Sequence, residues 1–511
     1  MIKAATRKLK LSYDAGPDGI PSAVLKLCAD ILCFPLAMLF NLSVQQCEFP
    51  AHWKFSYMFP IHKKGDKRDV ANYRGITSLC ACSKLLEIIV NDSLFACCKY
   101  YIDTEQHGFF PKRSVATNLV QFTSICLRSM DSGLQVDAAY MDLKAAFDSV
   151  DHEILLAKLE KLDVSSRSVD WFRSYLSNRA VRVKIGCSES GTFSNNSGVP
   201  QGSNLGPLLF SLFLNDVSLL LPKQCRFFFA DDVKIFKTIK CLSDCYILQT
   251  MVCTFADWCS RNSLCLSIEK CNVISYHRKN QPIIFDYTLA GYCLARVQQL
   301  KDLGVILDSA LTFRPHFCDV VARANRQLGF LFKVADEFRD PLCLRSLYCS
   351  LVRSILETNV VVWCPFHASW IARIEAVQRK FVRYALRFLS WRDPRNLPPY
   401  EERCRLLNIE PLDIRRAITQ ATFAGKLLSG DIDCPQLLTQ LNIYVPERPL
   451  RQRDFLLLEP RNRNYGQHEP IRRICHQFNT SYSFFEFNIS ANVFRQRLLN
   501  IFRTSGRNRL A

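Results

Sequence analysis

An α+β chain is predicted, with short strands before about residue 310 and helices dominating after it. Residues 135–143, QVDAAYMDL, alternate with period two as a strand does. Residues 225–237, CRFFFADDVKIFK, read as strand, tight turn, strand, with two adjacent aspartates at the turn. From about residue 312, apolar residues recur at helical spacing: Phe313, Phe317, Val320, Val321, Ala324, Leu328 and Leu331.

The elements follow in order. GPDGIP at 16–21 is a Gly/Pro turn, and a helix starts near Pro21. FPIHKKGDKRDVANYRGITSL at 59–79 reads as a basic loop closing on a strand or turn. QHGFFPKRSVATNLV at 106–120 is a second basic turn leading into a helix. In the strand that follows, Ala138, Tyr140 and Asp142 share one face and Ala139, Met141 and Leu143 the other. Asp151 is an N-cap for a helix with Leu155, Leu156, Leu159 and Leu162 along one stripe. VRVKIG at 181–186 alternates as a strand. SGVPQGSNLGPLLF at 197–210 is a Gly-rich turn running into a helix with Leu205, Leu208, Leu209, Leu212 and Phe213 inside. LGVILD at 303–308 is one more short strand, and RNLPPYEE at 395–402 reads as a boundary.

Composition narrows the function. The chain has 511 residues, 49% of them hydrophobic, which excludes collagen-like and disordered classes. Its 66 Lys+Arg against 47 Asp+Glu give a net charge of +19. That balance fits a polyanionic partner such as nucleic acid, and a merely solvated basic surface stays open. The 24 cysteines include no C-x2-C pair, and MIKAATRKLK has no apolar leader segment. They are expected to be reduced and mostly buried in an intracellular chain, in nucleus or cytoplasm. ILCFPLAMLF is too short to cross a membrane.

Asp231 and Asp232 repel each other, and burial adds to that cost. A divalent cation removes both problems, because Mg2+ takes hard oxygen ligands and keeps substrate phosphates in its shell. Two ions about 3.5–4 Å apart need several bridging carboxylates. Asp142, on an apolar strand, is the expected third, and the three are expected to converge at a sheet's exposed edge. An Asp pair by itself is also an ordinary turn feature.

Five segments occur in a telling order: NYRGITSL (72–79), QHGFFPKRS (106–114), YMDLKAAFDSV (140–150), GVPQGSNLGPLLF (198–210) and FADD (229–232). Together they resemble the reverse transcriptase of non-LTR, LINE-type retrotransposons, jockey-like, over roughly residues 10–400. GPDGIP and WFRSYLSNR at 171–179 resemble that group too. The resemblance implies a right-hand polymerase of fingers, palm with antiparallel sheet, and thumb, followed by a mostly helical C-terminal region. The spans are 1–134 for fingers with an N-terminal extension and 135–310 for palm. The reverse transcriptase core covers about 55–310, the helical thumb 311–395, and a basic region of unassigned role 396–511. It implies an RNA-directed DNA polymerase that extends a DNA primer on an RNA template with dNTPs and two Mg2+ ions, Mn2+ being able to substitute.

Residue by residue, Asp142, Asp231 and Asp232 resemble the catalytic carboxylates. Phe147 resembles a steric gate against the ribose 2'-hydroxyl, with an ordinary core Phe as its other reading. Asp148 caps or orients that turn. Gln201 and Gly202 resemble the turn set against template and incoming nucleotide. Arg74 resembles the fingers arginine on the triphosphate, with Lys63 and Lys64 as helpers or solvated loop residues. Gly75 stands where the family commonly has Pro, and a looser turn is expected. Lys270 resembles the lysine that protonates leaving pyrophosphate. LGVILD resembles the primer-grip region. Arg113 resembles a nucleic-acid contact, and Arg373, Lys380, Arg383 and Arg387 would track phosphates from one helix face, which a solvated face would equally present. Arg448–Arg453 and Arg461–Arg463 could grip RNA or be disordered. No endonuclease domain, ribonuclease H constellation or zinc knuckle is read in these residues. An RNA-directed RNA polymerase and a catalytically silent nucleic-acid-binding remnant remain as other readings, and oligomeric state is open.

Overall fold

The computed structural model describes residues 1–63, 65–337, 340–388, 397–444 and 454–505. Its strands are β1 (Phe55–His62), β2 (Tyr73–Ser78), β3 (Gln135–Met141), β4 (Arg179–Ile185), β5 (Arg226–Phe229) and β6 (Asp232–Ile239). They continue with β7 (Asn272–Tyr276), β8 (Ala295–Arg296), β9 (Gln299–Asp302) and β10 (Val305–Asp308). The helices that matter for the site are α1 (Val115–Asp131), α2 (His152–Lys161), α3 (Gly206–Leu214), α4 (Leu242–Arg261) and α5 (Arg314–Val334). Four more close the chain: α6 (Ala368–Ala385), α7 (Leu412–Leu428), α8 (Pro470–Asn479) and α9 (Ala491–Ser505).

The alternation in QVDAAYMDL has a direct structural counterpart. β3 is the middle strand of a sheet ordered β8-β7-β3-β6-β5, antiparallel except where β8 meets β7. Ala139, Met141 and Leu143 enter one core with Leu155 of α2, Phe210 of α3 and Phe255 of α4. Val136 and Ala138 enter a second core with Phe122 of α1, Phe317 of α5 and Phe381 of α6. Burial on both faces explains why β3 tolerates so few polar residues.

Caps set the helix starts. Ser114 and Thr117 form a capping box on α1, and the Asp151 carboxylate accepts from the Ile154 N–H at the start of α2. The apolar stripe expected from Phe313 to Leu331 is buried throughout, as are Ile374, Val377 and Phe381 of α6. The region after residue 396 shares the second core, through Phe423 of α7, Ile474 of α8 and Phe494 of α9. Arg128 of α1 pairs with Glu469 at 2.9 Å, and Asp131 accepts from the N–H groups of Asn462 and Arg463.

The other large sheet runs β2-β1-β4 with two short strands beyond. Here the sequence misleads. Residues 59–62 belong to β1, not to a loop, and Pro60 pairs opposite Gly75. A proline inside an apolar run argues against a strand, and β1 is recognisable only once β2 and β4 lie beside it. Gly75 likewise sits inside β2 rather than in a looser turn; a Cβ there would come 2.5 Å from Met58 Sδ. β4 falls within the 135–310 span yet pairs with β1, while α1, from the first 134 residues, packs on the β3 sheet. All 24 cysteines are free, but 11 are buried and 8 exposed, so they are not mostly core. Of the boundary at 395–402, residues 395 and 396 lie outside the described residues; Tyr400 opens a short helix. Among the described residues, no helix is long and apolar enough to cross a membrane.

Candidate active site

β3 and β6 place the carboxylates. Their register pairs Tyr140 with Lys234 and Met141 with Val233, so one step further Asp142 stands beside Asp232. Asp231 occupies the two-residue turn between β5 and β6, next to Ala230 at φ +56°. The convergence is therefore at the ends of two inner strands, not at an edge strand as expected. Asp142 and Asp232 line one cavity of about 170 Å³ with Lys270 and Asn272.

The turn is held from outside. Gln106 Oε1 accepts from the N–H groups of Ala230 and Gly108, at 3.1 and 2.8 Å. A Cβ on Gly108 would lie 2.2 Å from Ala230 N, so only glycine lets the two segments meet. His107 N–H donates to the Phe228 carbonyl at 3.0 Å, closing the free edge of β5. Gln106 and Gly108 act on the site without touching it; the QHG motif signalled them, though not this role.

The electrostatics suit a cation. Burial raises the Asp231 carboxyl pKa first; the turn's own N–H, Arg74 and Lys63 pull it down, and Asp142 pushes it up. The Asp232 carboxyl is pushed up to about 6 by burial in the cleft, then by Asp231 and Asp302, although the residue keeps open surface. Among the described residues, no three carboxylate, His or Cys side chains are already drawn together at metal-holding distance. The donor set is all oxygen, as Mg2+ or Mn2+ requires. Lys270, in a short turn, reaches Asp142 Oδ2 at 3.3 Å and is otherwise exposed.

Two turns flank the carboxylates. Ile61 pairs with Arg74 across β1 and β2, and Lys63 N–H donates to the Asn72 carbonyl, so Arg74 and Lys63 share the tip of one hairpin. Both are exposed. Lys64 lies outside the described residues. The Gln201 amide donates to both oxygens of Asp148, each at 2.9 Å, which gives Asp148 its orienting part. The Gln201 carbonyl accepts from Thr77 N–H at 2.7 Å. Gly202, at φ +116°, would put a Cβ 2.6 Å from the Thr77 carbonyl oxygen. The glycine thus serves close approach to β2, a protein contact the sequence did not reveal. Glu87, fully buried, accepts from Asn204 N–H at 2.8 Å and from the Tyr175 hydroxyl at 3.0 Å, anchoring the far end of this turn. Phe147 is half-buried, stacked on Phe210 at 4.5 Å.

Some expected contacts move. Arg113 is committed internally: it donates to the Asp433, Thr104 and Gln106 carbonyls at 2.8–2.9 Å and stacks over Phe110 at 3.8 Å. A guanidinium so engaged offers no free fork to a phosphate, which corrects its assignment as a nucleic-acid contact. Arg461 pairs with Glu459 and Glu469, each at 3.0 Å, inside the C-terminal region, and Glu469 in turn pairs with Arg128 of α1. Residues 448–453 lie outside the described residues. Arg373, Lys380 and Arg383 are exposed on α6 and Arg387 on the 3-10 turn that follows it, with Lys380 bonded to Asn325 Oδ1 at 3.2 Å.

Strand-paired carboxylates and a basic hairpin make a site suited to a cation and a polyphosphate. Residues 61–307, just under half of the chain, match the family described as "Reverse transcriptase (RNA-dependent DNA polymerase)". The chain is similar to the probable RNA-directed DNA polymerase from transposon BS of Drosophila melanogaster, 28% identical over 75% of this chain and 44% of that one. The X-element polymerase of the same organism is 28% identical over 72% of this chain and 41% of its own. The mobile element jockey polymerase is 27% identical over 75% and 43%. The chain spans less than half the length of these relatives. Among solved structures, telomerase from Candida albicans with a fragment of telomeric RNA covers 75% of this chain and 66% of its own, at 12% identity and a TM-score of 0.36, too loose a superposition to argue from.

Proposed function

We propose that this chain is an RNA-directed DNA polymerase that extends a DNA primer on an RNA template. The observation that carries the reading is the placement of Asp142 and Asp232 side by side on β3 and β6, with Asp231 in the adjoining turn. Asp142, Asp231 and Asp232 would hold two Mg2+ ions, which supply activation of the attacking hydroxyl and charge neutralisation at the leaving pyrophosphate. Arg74 and Lys63 bind the triphosphate, their field already reaching Asp231. Gln201, oriented by Asp148, and Phe147 flank the nucleotide, Phe147 closing the space of a 2'-hydroxyl. Lys270, beside Asp142, is placed to hand a proton to the departing pyrophosphate. Arg373, Lys380, Arg383 and Arg387 follow the phosphates of the template–primer.

The test is extension of oligo-dT on poly-A with dTTP and Mg2+. The unaltered protein is expected to extend, and Asp231→Asn to lose at least about 10²-fold while still binding RNA, since charge stabilisation of this kind is worth that much or more. Equal extension by both proteins would remove Asp231 from the site.

A further inference from the structure

Hydrogen bonds connect the C-terminal region, which carries no residue of the proposed site, to the turn that holds Asp231. They begin at residues 430–434, just after α7. The Lys112 ammonium donates to the Gly430 carbonyl at 3.0 Å, and the Lys112 carbonyl accepts from Asp433 N–H at 3.3 Å. Arg113 Nε donates to the Asp433 carbonyl at 2.9 Å, across 320 residues of sequence. The Cys434 thiol, 2% exposed, points to Gln121 Oε1 on α1 at 3.7 Å. The Gln121 amide in turn donates to the buried Glu105 carboxylate at 3.0 Å. Residues 430–434 are thus joined at several points to the segment that runs from 104 to 113.

That segment leads on to the carboxylates. Arg113 Nη1 donates to the Thr104 and Gln106 carbonyls at 2.8 and 2.9 Å, and the guanidinium lies over the Phe110 ring at 3.8 Å. A guanidinium is a rigid planar fork, so one that is stacked and bonded on two sides fixes the distance between the backbones it joins. Residues 105–107 lie along β5: Phe228 N–H donates to the Glu105 carbonyl at 3.1 Å, and Gln106 faces Phe228 in parallel pairing. Asn118 of α1 donates to the same Phe228 carbonyl that His107 uses, at 3.3 Å. Asn118 also accepts from the buried ammonium of Lys234, itself paired with Asp302 at 2.7 Å. The last link is the Gln106 side chain, which holds the Ala230 N–H. Asp232 is placed by its pairing with Phe229, whereas Ala230 and Asp231 form the turn and have no ladder partner. Ala230 stands at φ +56°, where a residue with a Cβ persists only if its surroundings over-determine it.

We propose that residues 430–434 form a positioning element for the active site: acting through Arg113 and then Gln106, they hold the Ala230–Asp231 turn where its carboxylate can meet a divalent cation. Arg113 and Gln106 are positioning residues that touch neither substrate nor metal. This rests on the polymerase reading of the carboxylates.

Arg113→Lys keeps the charge and replaces the fork by one ammonium, which cannot span the three carbonyls. The half-saturating Mg2+ concentration for the first nucleotide addition is expected to rise by about tenfold, the lower end of what groups that orient metal ligands are worth. The Ala230 amide and those of 430–434 exchange with solvent faster together. Affinity for template–primer and its salt slope stay within about twofold, because the net charge is unchanged. Lys112→Met, which removes only the bond to Gly430, shifts Mg2+ dependence and exchange in the same direction by less, and it carries the test if Arg113→Lys does not fold. Gln106→Met cuts the last link, so adding Arg113→Lys to it raises the half-saturating Mg2+ concentration little further. Additive effects of those two changes overturn the proposal, as does an unchanged Mg2+ dependence in folded Arg113→Lys. A weakened affinity for template–primer with unchanged Mg2+ dependence overturns it too and returns Arg113 to the nucleic acid. If the unaltered protein extends no primer, the polymerase reading fails instead. The coupling is then read from exchange alone, and an Ala230 amide as protected in Arg113→Lys as in the unaltered protein refutes it.

Discussion

Phe147 stacks on Phe210 at 4.5 Å between ring centroids and meets Phe109 edge to face at 5.9 Å. A ring held on two sides cannot swing aside to admit an extra hydroxyl. Phe147→Val is therefore expected to raise ribonucleotide incorporation relative to deoxyribonucleotide by roughly 10–100-fold, the range one packed group is worth in a specificity pocket. Competition between rGTP and dGTP on one template measures it; an unaltered protein that already takes both equally would remove the gate. Asp232 gives a second prediction. Its carboxyl titrates at about 6 in the absence of a cation, and only the ionised form binds Mg2+. Above that pH the half-saturating Mg2+ concentration is flat. Below it, one competing proton raises the concentration by about tenfold per pH unit. Metal titrations of extension at pH 7.5 and 5 separate this from general acid loss. At this scale the three aspartates were legible, because paired carboxylates in an apolar run demand a reason. The Lys234–Asp302 pair was not: a lysine at alternate spacing in a strand looks like a solvent-facing residue, and its partner is 68 residues away. Arg113 failed for the complementary reason, since a basic turn does not show that its own carbonyls will take the guanidinium.

Strands and helices respond as units, and α6 and the turn at 200–203 are the clearest cases. Arg373, Lys380 and Arg383 of α6 and Arg387 of the turn that follows it are all exposed. If they track phosphates, each Gln replacement lowers the slope of log affinity against log salt by about 0.7–0.9, and all four together by about 3. A fluorescence titration of template–primer across salt concentrations reads this directly, and an unchanged slope would return the stripe to ordinary solvated surface. At the turn, Gly202→Ala meets both a positive φ and the Thr77 carbonyl oxygen. It is expected to cost about 1–3 kcal/mol and to part the turn from β2, lowering Tm and extension together. Elements whose burial follows one period were readable in advance: β3, the β5–β6 hairpin and α5 all fall where alternation or a helical stripe places them. β1 was hidden by Pro60 and by burial that is only partial along most of the strand. Its pairing is settled by β2 and β4, more than ten and more than a hundred residues away, and no local pattern carries that information.

Across the whole molecule, one sheet separates two hydrophobic cores, and the carboxylates sit where its inner strands end. Motion of either core relative to the sheet would move the site, so stability and function are tied through the groups buried beside β5 and β10. Two of these are histidines. His107, 1% exposed, bonds Thr117 Oγ1 at 2.8 Å, and burial drives its pKa down to about 3. His316 accepts from Ile306 N–H at 3.3 Å, and burial lowers it to about 4. Both are held neutral in the fold but take a proton near 6.5 once unfolded, so their contribution is intact above pH 6.5 and is lost as pH falls below it. Glu105 opposes them: burial raises its carboxyl to about 7, so the folded state gains a proton, and stability, between pH 7 and 4.5. Since the groups compete, the informative quantity is a difference between proteins. His107→Asn keeps an N–H donor for Thr117 Oγ1 and removes the titration. At pH 4.5 the unaltered protein loses about 2–3 kcal/mol through His107, at about 1.4 kcal/mol per pH unit below 6.5. The variant escapes this, so its melting temperature should drop less than the unaltered protein's between pH 7.5 and 4.5, by a few degrees in circular-dichroism melts. Parallel pH dependences would mean that His107 is charged in the fold, and that the segment closing the edge of β5 is open to water.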